Sequence, residues 1–200
     1  HIRYNPWEKG VLRVSAGRGK RSANIFAENQ SLFASARTFD ILDTNGKIYG
    51  LDPEIAWNYG LSFNQKFKIF GRSADAGFDF YKTDFTKQVV VDLYTPTAIA
   101  GTHQVLFYNL NGKSYANSLQ VDFNVELVKH LDLRTAYKYY DIQTDYLIGT
   151  SERPLQAKHR FFANLGYETH IAEKGKQWKF DFTYNWMGQQ KLPETSSNLD

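Results

Sequence analysis

Five histidines stand at His1, His103, His130, His159 and His170, and no two have the i, i+2 or i, i+4 spacing that would set two imidazoles on one metal ion. The 200 residues contain no cysteine, so a thiolate metal site and a disulfide framework are both excluded. The run from Gly17 to Arg21 (Gly-Arg-Gly-Lys-Arg) has the glycine-rich, basic look of a phosphate cradle. It lacks the Gly-Lys-Ser/Thr ending and the following helix that a nucleotide loop needs. No arrangement of Ser, His and acid supports nucleophilic catalysis, so neither an enzyme nor a cofactor is expected. The chemistry left is binding. Arg18, Lys20 and Arg21 offer cations to an anionic lipid headgroup or ligand. Phe26, Phe33, Tyr94, His103, Tyr108 and Tyr146 offer rings that grip a ligand or pack the connecting segments together.

The elements that must position these groups are strands. Between Asn117 and Tyr146, Leu119, Val121, Phe123, Val125 and Leu127 fall on one face and Gln120, Asp122, Asn124 and Glu126 on the other, because side chains alternate with period two. After a turn at Val128 to His130, Leu131, Leu133, Thr135, Tyr137 and Tyr139 continue the apolar row against Asp132, Arg134 and Lys138. The same alternation predicts strands over Val11 to Gly17 (Arg13 on the polar face), Ile55 to Asn64, and Phe70 to Tyr81 (Asp75 and Asp79). It recurs over Arg160 to Thr169 (Arg160) and Trp178 to Trp186 (Lys179 and Asp181). Together with a strand end at His1 to Tyr4, this makes about eight antiparallel passages. Several are nine residues or longer, as a tilted membrane strand of about 9 to 11 residues requires.

Composition sharpens the choice. No apolar run exceeds four residues, far short of the roughly 20 of a membrane helix, so any membrane contact must be made by a closed barrel whose alternation hides its hydrophobicity. Phe, Tyr and Trp make up 16% of the chain, which suits aromatic girdles and also a carbohydrate-binding surface. The net charge of +3 comes from 24 basic and 21 acidic residues that are interleaved, without the one-sided basic stripe of a nucleic-acid binder.

The connections then separate the readings. Those near Asn5, Gln65 to Ile69, Val128 and His170 to Lys176 are short. Those after Gly17, Tyr81, Tyr146 and Trp186 are long. Strict alternation of short turns and long loops marks an outer-membrane barrel. The polar row, namely Arg13, Asp75, Asp79, Asp122, Glu126, Asp132, Arg134, Lys138, Arg160 and Asp181, would face the lumen, and the apolar rows would face lipid. Arg72 falls on the apolar side beside a turn, where an outward charge costs only about 0 to 1 kcal/mol. Within the long connections, Ala23 to Asn29 predicts a helical turn, Asn45-Gly46 a tight turn, and Val89 to Tyr94 and Val105 to Tyr108 strands projecting beyond the membrane. Two other readings fit the alternation: a complete eight-stranded barrel with a structural or adhesive role, and a secreted carbohydrate-binding sandwich with the apolar rows as its core.

Two stretches carry a family resemblance. The run from Arg13 to Asn29 and the run from Leu51 to Leu61 (Leu-Asp-Pro-Glu-Ile-Ala-Trp-Asn-Tyr-Gly-Leu) resemble the barrel of TonB-dependent outer-membrane receptors, in which a Leu-x-Pro-Glu-x-x-x-Asn-Tyr strand follows a long loop. The run from Asn109 to Asp122 is similar to that family's approach to a Gly-x-Glu strand. Arg18-Gly-Lys departs from the family's aromatic-containing core, and Ser22-Ala23 from its usual x-Pro. The resemblance implies that residues 1–200 are one portion of a barrel of roughly 22 strands around a plug. It also implies that the plug, the TonB-contacting segment and the last strands lie outside the chain. The implied work is energised uptake of a scarce ligand (siderophore-bound iron, haem, cobalamin or oligosaccharide) across the outer membrane, with the membrane lipid and the TonB complex as partners and no nucleic acid.

Overall fold

The computed structural model describes residues 1–34, 37–42, 45–96, 103–147, 157–169 and 175–190, the side chains at 94–96 and 103 excepted. The part of the third long connection that runs through Ser151 to Pro154, and most of the turn expected at His170 to Lys176, therefore lie outside the described residues. Eight strands form one antiparallel sheet: β1 (Ile2–Trp7), β2 (Gly10–Arg21), β4 (Glu54–Ile69), β5 (Arg72–Lys87), β8 (Ser114–Val128), β9 (Leu131–Thr144), β10 (His159–Glu168) and β11 (Lys179–Met187). Neighbours in the sheet follow chain order, so the sheet is an up-and-down meander. A separate three-stranded sheet holds β3 (Phe39–Ile41), β6 (Val89–Pro96) and β7 (His103–Asn109) in the order β3-β7-β6. Two single-turn helices, α1 (Ile25–Glu28) and α2 (Gln30–Phe33), lie between β2 and β3.

Register carries the face assignment across the large sheet. Tyr4, Leu12, Phe63, Phe78, Val121, Tyr137, Phe161 and Trp186 are successive cross-strand partners, one apolar row running from β1 to β11. The adjacent row reads Arg3, Arg13, Ser62, Asp79, Gln120, Lys138 and Arg160. A slip of one residue anywhere would mix the two rows. On the interior strands Leu61 is 37% exposed, Val121 43% and Tyr137 37%, so among the described residues no second layer covers the apolar face. That excludes the sandwich, which would bury it. The polar face is concave, with hollows of about 500 Å³ beside Arg13, Ser62, Asp79 and Asp122, and about 710 Å³ beside Lys66, Asp75, Asn124 and Arg134. Among the described residues β1 and β11 do not pair with each other, so the sheet is an open arc and not a closed eight-stranded barrel.

Several strand ends differ from the sequence expectation in the same direction. Gln65 to Ile69, read as a turn, continues β4, and the reversal is the pair Phe70-Gly71, both in the left-handed region (φ 48 and 78) as a two-residue hairpin turn requires. Val128 closes β8, leaving a turn of Lys129 and His130 beside a bulge, with His130 at φ 69. Pro6 lies inside β1 at an irregularity in its pairing with β2, between Tyr4 and Trp7, where a missing donor is tolerated. Gly60 sits in mid-strand on the inner face because a Cβ there would lie 2.5 Å from Ser15 Oγ and 2.9 Å from the Tyr81 ring, which lies across it.

The 16 residues of β4 and of β5 are longer than the apolar band needs. At about 3.3 Å per residue and a tilt near 40°, such a strand rises roughly 40 Å against a band of about 25 Å. The surplus projects beyond the membrane at the end opposite the turns at Glu8-Lys9, Phe70-Gly71 and Lys129-His130. The connections from β2 to β4, from β5 to β8 and from β9 to β10 all leave from that end.

In the intact protein, Phe182→Arg places a charge in the outward row, at a cost of about 2 to 4 kcal/mol near mid-bilayer, and blocks assembly. Thr183→Arg, on the inner face, is tolerated. The readout is the heat-modifiable band on gel electrophoresis of outer membranes, and equal tolerance of both substitutions contradicts the face assignment.

Candidate ligand-binding cap and lumen wall

The outer connections fold into a cap with its own core. Val105 and Phe107 of β7 pack with Ala23, Ile25 and Leu51, flanked by Leu32, Phe33, Ile41, Val89, Val91 and Leu93. On the opposite side of the small sheet, Val90, Leu106, Tyr108 and Leu110 form a second cluster, against which Tyr146 packs. Period two explains the split: alternate residues of β6 and β7 face the two clusters. The helical turn predicted at Ala23 to Asn29 is α1, capped by Asn24, whose Oδ1 accepts from Ala27 N at 3.3 Å. Strand β3 had no signal in the sequence, being three residues long and paired in parallel with β7.

Polar clamps join the cap to the outer ends of the wall strands. Asp52 N donates to Asn109 Oδ1 at 2.7 Å, and Asn109 Nδ2 returns a bond to Asp52 O at 3.0 Å. Lys87 pairs with Asp52, and Val89 N donates to Glu54 Oε1 at 3.2 Å. Glu54 also accepts from Arg21 Nε at 2.9 Å, and Glu28 stands 3.4 Å from the same guanidinium. The hydrogen bond and charge of Glu54, with the charge of Glu28, raise the Arg21 pKa above its already high ordinary value. On the other side, Leu147 N donates to Tyr108 Oη at 3.2 Å, and Asp145 Oδ2 accepts from Lys113 N at 2.9 Å.

The candidate loop residues therefore divide. Arg18, Lys20 and Arg21 lie on β2, which runs four residues past the expected end at Gly17, and not on a loop. Arg18 and Lys20 are the register partners of Trp57 and Ile55, so they stand on the outward face beyond the stacked pair Trp57 and Tyr59. Arg21 is held by its two carboxylates. Tyr108 is buried and Tyr146 packs against it, so both tie the cap together. Tyr94 and His103 fall on β6 and β7, with side chains outside the described residues.

Phe26 is the candidate that the fold leaves open. Its ring is 41% exposed and sits 4.8 Å from both Phe33 and Tyr49, while Phe33 reaches Phe39 at 4.7 Å and stacks on the buried Phe107 at 6.1 Å. Asn24 and Gln30 bring carboxamides to the edge of this surface, over a shallow hollow of about 480 Å³. Tyr49 and Phe39 were not visible as candidates. Tyr49 takes a left-handed conformation (φ 53) before Gly50 and lies on no periodic segment, so only the fold brings it here. Rings in edge-to-face contact with amides at the rim can hold a flat, partly apolar ligand. Among the described residues no three His, Asp or Glu side chains converge to hold a metal ion.

The residues expected on the polar face share one face of the large sheet, as the register requires. Asp75 accepts from Asn124 Nδ2 at 2.8 Å, and Arg13, Asp79 and Asp122 border the first hollow. Glu126 meets Arg72 at 3.3 Å at the turn end, opposite Asp132, which aligns through Gly166 with Asp181. Arg134 and Lys138 follow on β9, with Arg160 beside Lys138.

Asn109→Leu removes both bonds to the Asp52 backbone and is expected to loosen the cap by about 1 to 3 kcal/mol without affecting the membrane strands. Hydrogen exchange checks it: faster exchange over 103–109 with unchanged protection in β8 and β9 is the expected pattern.

No curated protein and no solved structure matches the chain. A family model described as TonB dependent receptor-like, beta-barrel, matches residues 1–199. Matching nearly the whole chain, on a sheet whose faces and connections are those of a membrane barrel, it shows that the chain belongs to the TonB-dependent receptor β-barrel family of the bacterial outer membrane.

Proposed function

We propose that residues 1–200 are one part of the barrel of an energised uptake receptor, the plug and the TonB-contacting segment being contributed from outside this chain. The observation that carries the reading is the sheet itself: one uncovered apolar face, one charged concave face, tight turns at one end and a folded cap at the other. Such a wall does no covalent chemistry. It separates lipid from water and holds the cap over the mouth. A scarce ligand is captured at the outer side by the cap together with the plug, and released inward when TonB, driven by the inner-membrane proton gradient, pulls on the plug. Siderophore-bound iron, haem, cobalamin and oligosaccharide are the ligand classes that such a wall accommodates. The exposed rings Phe26 and Tyr49, with Asn24 and Gln30, are the groups of this chain best placed to touch it.

The test is accumulation of each ligand class by cells with and without the gene, and with and without a protonophore. One class should depend on the gene and on the gradient for accumulation, while surface binding survives the protonophore. For that class, Phe26→Ala with Tyr49→Ala should weaken binding about tenfold, the equivalent of roughly 1.4 kcal/mol, with normal barrel assembly. Accumulation of every class unchanged by loss of the gene, or indifferent to the protonophore, contradicts the proposal.

A further inference from the structure

One row of the inner wall carries two pairs of like charges in direct cross-strand opposition. Lys138 of β9 is the register partner of Arg160 of β10, and, at the same level on the far side of Asp79, Arg3 of β1 is the partner of Arg13 of β2. Like charges directly opposite on neighbouring strands destabilise a sheet. The wall does nothing to neutralise the first pair: among the described residues no carboxylate lies within 4.0 Å of Lys138 or Arg160. Instead both cations are drawn to one ring. Lys138 Nζ stands 5.6 Å and Arg160 Cζ 5.7 Å from the centroid of Tyr140, so both cations of this cross-strand pair meet the same ring. Arg160 Nε is shielded from solvent and has no hydrogen-bond partner. A guanidinium against a ring, with an unsatisfied N–H and an ammonium on the directly opposed residue, is an arrangement that an oxyanion satisfies by accepting from both cations.

We propose that Lys138, Arg160 and Tyr140 form an oxyanion site on the lumen wall, occupied by a carboxylate or phosphate group that does not belong to the wall. The same chemistry has two sources: an acidic side chain of the domain that fills the lumen, or an anionic group on a molecule passing through it. The site rests on this face being the aqueous one, which the Phe182→Arg and Thr183→Arg comparison tests separately.

The sign of a stability change decides the matter. In the intact receptor in detergent, Tm is measured with inorganic phosphate replacing chloride at constant ionic strength, for the wild type, for Lys138→Gln with Arg160→Gln, and for the charge-conserving Lys138→Arg with Arg160→Lys. The heat-modifiable band confirms that each has folded. A rise of about 2 °C or more with phosphate in the wild type, absent in the Gln pair, supports the site with a free oxyanion as its occupant. No response to phosphate, with the Gln pair melting lower and the charge-conserving pair unchanged, supports a carboxylate of the protein itself. The proposal is overturned if phosphate has no effect and the Gln pair melts at or above the wild type, because the two charges then only repel. It is overturned equally if the charge-conserving pair loses as much as the Gln pair, because packing on Tyr140 is then the whole role.

Discussion

Hydrocarbon offers no partner to an amide, so every N–H and C=O of a strand crossing it must bond to a neighbouring strand. In this chain that requirement fixes the register of the eight-stranded sheet, and register in turn fixes what each face meets. Val14, Leu61, Phe80, Leu119 and Tyr139 lie in one line of partners, and Ser62, Asp79, Gln120 and Lys138 in the next. Side-chain packing contributes little inside the sheet: the buried side chains are concentrated in the cap, at Ile25, Val105 and Phe107. The wall is held by its ladder and by the solvents on its two sides, and the cap by an ordinary hydrophobic core.

That difference explains what could be read from the sequence. Where one face meets lipid and the other water, hydropathy alternates, and the rows from Leu119 to Leu127 and from Trp178 to Trp186 were legible residue by residue. Beyond the band both faces of a strand meet water, the alternation has no cause, and the pattern fades while the ladder continues. Arg18 to Arg21 therefore looked like loop and Gln65 to Ile69 like turn, although both extend their strands. In the cap, β6 and β7 were visible because each covers a core, whereas β3 depends wholly on pairing with a strand distant in sequence. Of the candidate site, Phe26 was legible as an isolated aromatic. Its neighbours Tyr49 and Phe39 were not, since they meet it only through tertiary packing.

The two parts meet in a small set of polar contacts. Asp52 and Glu54, at the start of β4, bond Asn109, Lys87, Val89 and Arg21, so the cap is anchored at the strand ends that emerge from the membrane. The anchoring leaves the ring surface around Phe26 displayed at the outer side while the charged wall lies below. The proposed function needs that order: a surface that meets ligand first, then an aqueous wall wide enough to hold a moving domain. On the proposed function, Lys138 and Arg160, which have no carboxylate partner among the described residues, are charges that this domain or its cargo would meet.

The central claim, that alternate residues face lipid and water, can be tested one position at a time, because these 200 residues contain no cysteine of their own. Single cysteines placed at successive positions from Lys179 to Trp186 in the intact receptor, each spin-labelled in a bilayer, report relaxation by oxygen, which partitions into lipid, and by a water-soluble nickel complex. The account predicts a period of two, with Phe180, Phe182, Tyr184 and Trp186 reached by oxygen and Lys179, Asp181, Thr183 and Asn185 by nickel. Low accessibility to both reagents at the even positions would mean that the apolar row is a protein core, and the barrel account would be wrong.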